Sequence, residues 1–201
     1  MKKIIYLLVL FISSYAQAQL GGAILPGTLT VEGDPIITQT IDDLVVEAGK
    51  DDSTFGVETV FDISLIGFVL DDSERLGVTI PSNQNCSENV FKYSVYMHTN
   101  NAPQNVEILA RSITNGGNRF PINALYDDLP LRPLGERDLT TENGGNYITI
   151  PNNGSAAIKV FEFVGCRQSI PIQFKIKPGI KAISGDYTAM KIYYTVVGTT
   201  F

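Results

Sequence analysis

Side chains able to do chemistry are scarce in this 201-residue sequence, which holds one histidine, His98, and two cysteines, Cys86 and Cys166. A serine or cysteine nucleophile needs a base that a third group holds in place. His98 ends an alternating run, and no G-x-S-x-G elbow occurs. It reads as a surface histidine, and the chain as no enzyme. One histidine and two cysteines cannot make a zinc site of the usual composition. Acids do pair, at Asp42-Asp43, Asp51-Asp52, Asp71-Asp72 with Glu74, and Asp127-Asp128. Calcium favours clustered carboxylate and carbonyl oxygens. None of these pairs shows the D-x-D-x-D-G alternation of a calcium loop. They read as solvated turn acids, with Asp71, Asp72 and Glu74 as first candidates if a calcium ion binds. The 21 acids can always supply two carboxylates for glycoside hydrolysis, so their presence discriminates nothing. Tryptophan is absent, and Tyr93, Tyr96, Tyr193 and Tyr194 sit inside alternating runs. Those tyrosines read as core or cross-strand partners rather than sugar platforms. No cofactor is called for.

The remaining sequence concerns compartment and architecture. It opens with MKKIIYLLVLFISSYAQAQL. Lys2 and Lys3 form a basic start, and residues 4–12 are an apolar run too short to cross a bilayer. Ala16-Gln17-Ala18 supplies the small residues a signal peptidase accepts. The expectation is a signal peptide over residues 1–18, a mature start at Gln19, and export through the periplasm to the cell surface or medium. No later segment is apolar enough to span a membrane. Loss of Lys2 and Lys3 takes the net charge from −6 to −8. No basic stripe then faces a phosphate backbone, which excludes a nucleic-acid role. In an oxidising compartment two cysteines suggest one bridge, against the alternative of two free buried thiols. A Cys86–Cys166 disulfide would close a loop of about 80 residues, worth about 4 kcal/mol in the chain-entropy model. Its Cα atoms would lie within about 7 Å.

Two-residue alternation runs through the rest. "VETVFDISLIGFVL" sets Val57, Thr59, Phe61, Ile63 and Leu65 against Val60, Ile66, Phe68 and Leu70. "FKYSVYMH", "NVEILARSI", "AAIKVFEFV" and "IPIQFKIK" repeat the habit. Such runs read as half-buried strands. Gly-, Asn- and Pro-rich turns separate them, and no window of 11 or more residues after the leader carries a helical stripe. The expected fold is all-β, an immunoglobulin-like antiparallel β-sandwich with long loops. Residues 121–145, with three prolines and several charges, read as a surface excursion or an edge strand flanked by loops. Residues 19–55 form a Gly-rich lead with short apolar patches, and residues 56–201 the sandwich domain.

In "DYTAMKIYYTVV", Met190, Ile192, Tyr194 and Val196 share one face. The stretch "IPIQFKIKPGIKAISGDYTAMKIYYTVV" resembles the end of spore-coat-U-like proteins and archaic chaperone–usher pilus subunits. There a strand leads through a Pro/Gly loop and a G-x-Y-x turn, here Gly185 and Tyr187, to a final alternating strand. The resemblance implies an incomplete sandwich whose final strand lacks a neighbour, filled first by a periplasmic chaperone and then by the lead of another subunit, with an usher at the membrane. Leu29, Val31, Ile37 and Ile41 of the lead are the candidate donor residues. Met190, Ile192, Tyr194 and Val196 are the candidate acceptor-groove residues. The lead pairing within its own chain is an equal alternative. The implied function is a secreted, non-enzymatic structural or adhesive subunit of a surface fibre. Its partners would be other copies or related subunits. The rival is a self-contained exported ligand- or glycan-binding module.

Overall fold

The computed structural model describes residues 26–33, 56–59, 64–113, 115–179 and 189–199. The leader over residues 1–18 and the candidate donor residues Ile37 and Ile41 lie outside the described residues. The fold is all-β: two antiparallel sheets face each other across one core.

The first sheet runs β1 (Gly27–Glu32), β3 (Ser64–Leu70), β12 (Arg167–Pro178), β7 (Val106–Ser112), β10 (Ile148–Thr149). Two short strands, β2 (Val57–Glu58) and β8 (Asn118–Arg119), pair with the two ends of β12. The second sheet runs β13 (Lys191–Thr199), β6 (Lys92–Asn100), β11 (Ile158–Val164), β9 (Leu139–Thr141). A separate ribbon joins β4 (Ser73–Arg75) to β5 (Val78–Ile80), and a seven-residue helix, α1 (Ser82–Glu88), follows it.

Alternation becomes core directly. Tyr93, Val95 and Met97 of β6 are fully buried, as are Ile170, Ile172 and Phe174 of β12. Ile66, Phe68 and Leu70 of β3 complete the facing layer. The Phe68 and Tyr93 rings meet at 4.8 Å, so β3 lies over β6. Side chains of two inner faces interdigitating in this way make the core of a sandwich.

One end of the sandwich is crosslinked. Cys86 of α1 bonds to Cys166 in the turn between β11 and β12, with Cα atoms 5.8 Å apart. The Leu70 N–H points at both sulfurs, at 3.3 and 3.5 Å. The expected bridge is therefore present, and it ties the helix to the β11–β12 turn, with the end of β3 against it. The loop between β8 and β9 packs beside it. Arg137 is fully buried there and donates to the Asp127 carboxylate at 3.0 Å and to the Phe120 and Cys166 carbonyls at 3.3 Å each. Although burial pushes the Asp127 carboxyl up, the Ala124 N–H and the Arg137 charge hold it below the usual range. Burial, with Arg119 and Arg137 nearby, pushes Arg167 down to about 10. Residues 121–145, expected as a surface excursion or as an edge strand flanked by loops, contain a loop that buries Arg137 and then the edge strand β9.

Candidate functional site

Among the described residues each sheet ends in an edge strand at both sides, and the two sides differ. On one side the edges are β9 and β10, three and two residues long. Residues 142–147 carry the chain directly from one to the other, across the gap between the sheets. On the other side the edges are β1 and β13, six and nine residues long. Because β3 faces β6, their outer neighbours β1 and β13 border the same flank.

The inward stripe of this flank is left partly uncovered. Directly paired residues of antiparallel strands share a face. Ile192, Tyr194 and Val196 of β13 pair with Thr99, Met97 and Val95 of β6. They point at the core and pack against it, yet remain only half-buried, whereas their β6 partners are buried. β1 behaves alike. Leu29 pairs with Phe68 and Val31 with Ile66, so both point inward. Leu29 packs on the core, but Val31 is 47% exposed beside an Ile66 that is 2% exposed. Burial raises the Tyr194 phenol above its ordinary range.

The edges themselves carry few guards. Natural sheets blunt exposed edges with prolines, bulges, inward charges or short strands. Among the described residues β13 pairs with β6 alone, in unbroken register over nine residues, and holds one charge, Lys191. Among the described residues the outer edge of β13 is thus unpaired, beside an inward stripe that is half-covered.

The sequence-predicted residues divide accordingly. Met190, Ile192, Tyr194 and Val196 lie along the open flank, Met190 just before β13. Leu29 and Val31 form part of β1 and pair in their own chain, so this part of the lead is built into the sandwich. His98 lies half-buried on the outer face of β6, its ring stacked on Tyr193 at 4.8 Å. Asp71 accepts from the Thr28 hydroxyl at 2.6 Å, and Asp72 from the Ser82 N–H at 2.6 Å. Those carboxylates hold strand and helix ends. Among the described residues no three His, Cys, Asp or Glu side chains gather closely enough to hold a metal ion. No helix among them is long and apolar enough to cross a membrane. Alternation alone does not reveal Val31 as an inward residue left open, because exposure depends on a neighbour strand. Comparison with protein families, with characterised proteins and with solved structures finds no match to this chain.

Proposed function

We propose that this chain is a secreted, non-enzymatic subunit of a surface fibre and that it assembles by accepting a strand at the flank between β1 and β13. One observation carries the reading: the inward stripe of both edges, Val31 on one side and Ile192, Tyr194 and Val196 on the other, is half-open while the strands behind it are buried. The fibre, the immunoglobulin-like form of the sandwich and the signal peptide belong to the same proposal. So do a chaperone and an usher in transit. Since Leu29 and Val31 are engaged in cis, the donor in trans is drawn from the rest of the lead, including Ile37 and Ile41.

The mature protein should form a ladder of oligomers that resists dilution and collapses on boiling. Val196→Arg places a charge on the inward stripe and should abolish the ladder, leaving a folded protein with its disulfide formed. A wild-type protein that stays folded and strictly monomeric at high concentration would defeat the fibre reading. The exported ligand- or glycan-binding module would then take its place.

A further inference from the structure

The crosslinked end of the sandwich presents a second feature, independent of the open flank. The β4–β5 ribbon turns through Leu76-Gly77, with Arg75 paired to Val78 across the turn. Both turn residues have positive φ, 54° and 78°. This is the two-residue turn that suits a right-twisted ribbon and favours Asn-Gly. A leucine is disfavoured in the left-handed region on steric grounds. It is also 99% exposed, and Val78 beside it is 64% exposed. Two separate costs thus fall on one side chain that an asparagine would avoid. Strain of this kind persists where a residue is held for function. The ribbon tip is an apolar knob with one cation, since Arg75 and Val78 share a face.

A matching recess lies at the same end. Val90, Leu125, Leu129 and Pro133 line a mostly apolar depression of 370 Å³, with Ser87 and Glu88 of α1 at its rim. That volume falls in the range of sites that seat small apolar groups, roughly 300–1,000 Å³. Its walls are fixed. The Leu125 N–H donates to the Ser87 hydroxyl at 3.2 Å, and the Tyr126 hydroxyl clasps Gly135 O and Leu134 N at 2.9 and 2.7 Å. Arg132, the cation near the recess, is paired with Glu136. The exposed charge at the rim is the Glu88 carboxylate, opposite in sign to Arg75; one of its oxygens accepts from Gln84 Nε2 at 2.7 Å and the other is left for an outward contact.

We propose that the knob of one copy seats in the recess of a second copy, with Leu76 and Val78 in the apolar depression and Arg75 against Glu88. The occupant is a second copy because the chain carries both complementary halves, uncovered and opposite in charge. The contact is reversible, unlike an inserted strand, and adds a lateral or end-on link between subunits.

The test uses the mature protein carrying Val196→Arg, in which the strand-addition ladder cannot form, and two further variants made in it. Leu76→Asn removes the knob and suits the turn better. It should raise Tm by a few degrees and weaken self-association about tenfold or more in sedimentation equilibrium. Leu125→Glu should weaken association from the recess side, with Tm little changed because the side chain is 63% exposed. For position, Arg75→Lys protein mixed from 14N and 15N preparations is treated with a carbodiimide. A mixed-isotope crosslink between position 75 and Glu88 is expected. That readout separates this contact from strand addition, which Val196→Arg removes and Leu76→Asn leaves. Unchanged association in Leu76→Asn, or crosslinks only within one isotope, overturns the proposal. So does binding to neutral phosphatidylcholine vesicles that Leu76→Asn abolishes while copies never associate, since the knob would then read a lipid surface.

Discussion

The two flanks of this sandwich are built from the same alternating code and finish differently. At the β9/β10 flank the chain itself crosses between the sheets through residues 142–147. Lys159 there reaches Glu142 at 2.6 Å and Glu162 at 3.3 Å, and the Arg111 guanidinium lies 4.5 Å over the Tyr147 ring. The edges are too short to template a partner. At the β1/β13 flank no described residue crosses, the edges are long, and the inward stripe is half-open. A sandwich can leave one flank open only if the remainder holds the sheets together. Here that task falls to the closed flank and to the crosslinked end, where the Cys86–Cys166 bridge binds α1 to the β11–β12 turn.

The largest effect should come from breaking that frame. The bridge spans 80 residues of sequence. Replacing both cysteines by alanine should cost about 4 kcal/mol, read as a lower denaturant midpoint. A loss below about 1 kcal/mol would mean that the packing of the open flank already sustains the fold.

A sharper comparison sets two valines against each other. Val95 and Val196 pair directly across β6 and β13, point the same way, and differ in cover. Val95→Ala removes a fully buried side chain and leaves a cavity, at a cost of about 2–3 kcal/mol. Val196→Ala in the monomer should cost about 1 kcal/mol or less, because less area leaves water. Once a strand occupies the flank, the gap between the two variants should narrow. Equal costs in the isolated monomer would show that the stripe is already covered.

How far sequence reaches follows the same division. Two-residue alternation marks Tyr93, Val95 and Met97 as one buried face, and a count of two cysteines marks the Cys86–Cys166 bridge, because both are local or countable signals. Alternation equally marks Ile192, Tyr194 and Val196, but it cannot say whether a neighbour covers them, since cover is a property of sheet order. The short ribbon β4–β5 and the seven-residue α1 carry too few residues to show a period. Arg137 is the clearest failure of pattern. A charge amid prolines reads as surface, yet it is buried, because its partner Asp127 and two carbonyls converge on it only in the fold. The turn at Leu76-Gly77 between "SER" and "VTI" is not legible either, because leucine is a poor residue for that position, and its exposure is a property of the fold.

The smallest effect separates the flanks by pH. Glu162 of β11 sits between Lys92, at 2.5 Å, and Lys159, and its side chain is 16% exposed. Burial pushes its carboxyl up, but the bonds from Lys92 and Lys159 prevail and hold it below the usual glutamate range. A carboxyl lowered in the folded state binds its proton more weakly there than in the unfolded chain. Its contribution is therefore fully present above the unfolded value, about 4.3, and fades as pH falls through the lower folded value. Glu162→Gln should cost about 1 kcal/mol at pH 7, an exposed-pair magnitude raised slightly by partial burial. The difference from wild type should shrink steadily as the acid limb is descended, and high salt should reduce it at neutral pH. Hydrogen exchange gives the spatial half of the test. Protection lost in the variant should centre on β9 and β11, with β1 and β13 unchanged. Loss spread evenly over both flanks would mean that they open as one cooperative unit, and the closed flank would not be the independent clamp that its short edges and ion pairs make it.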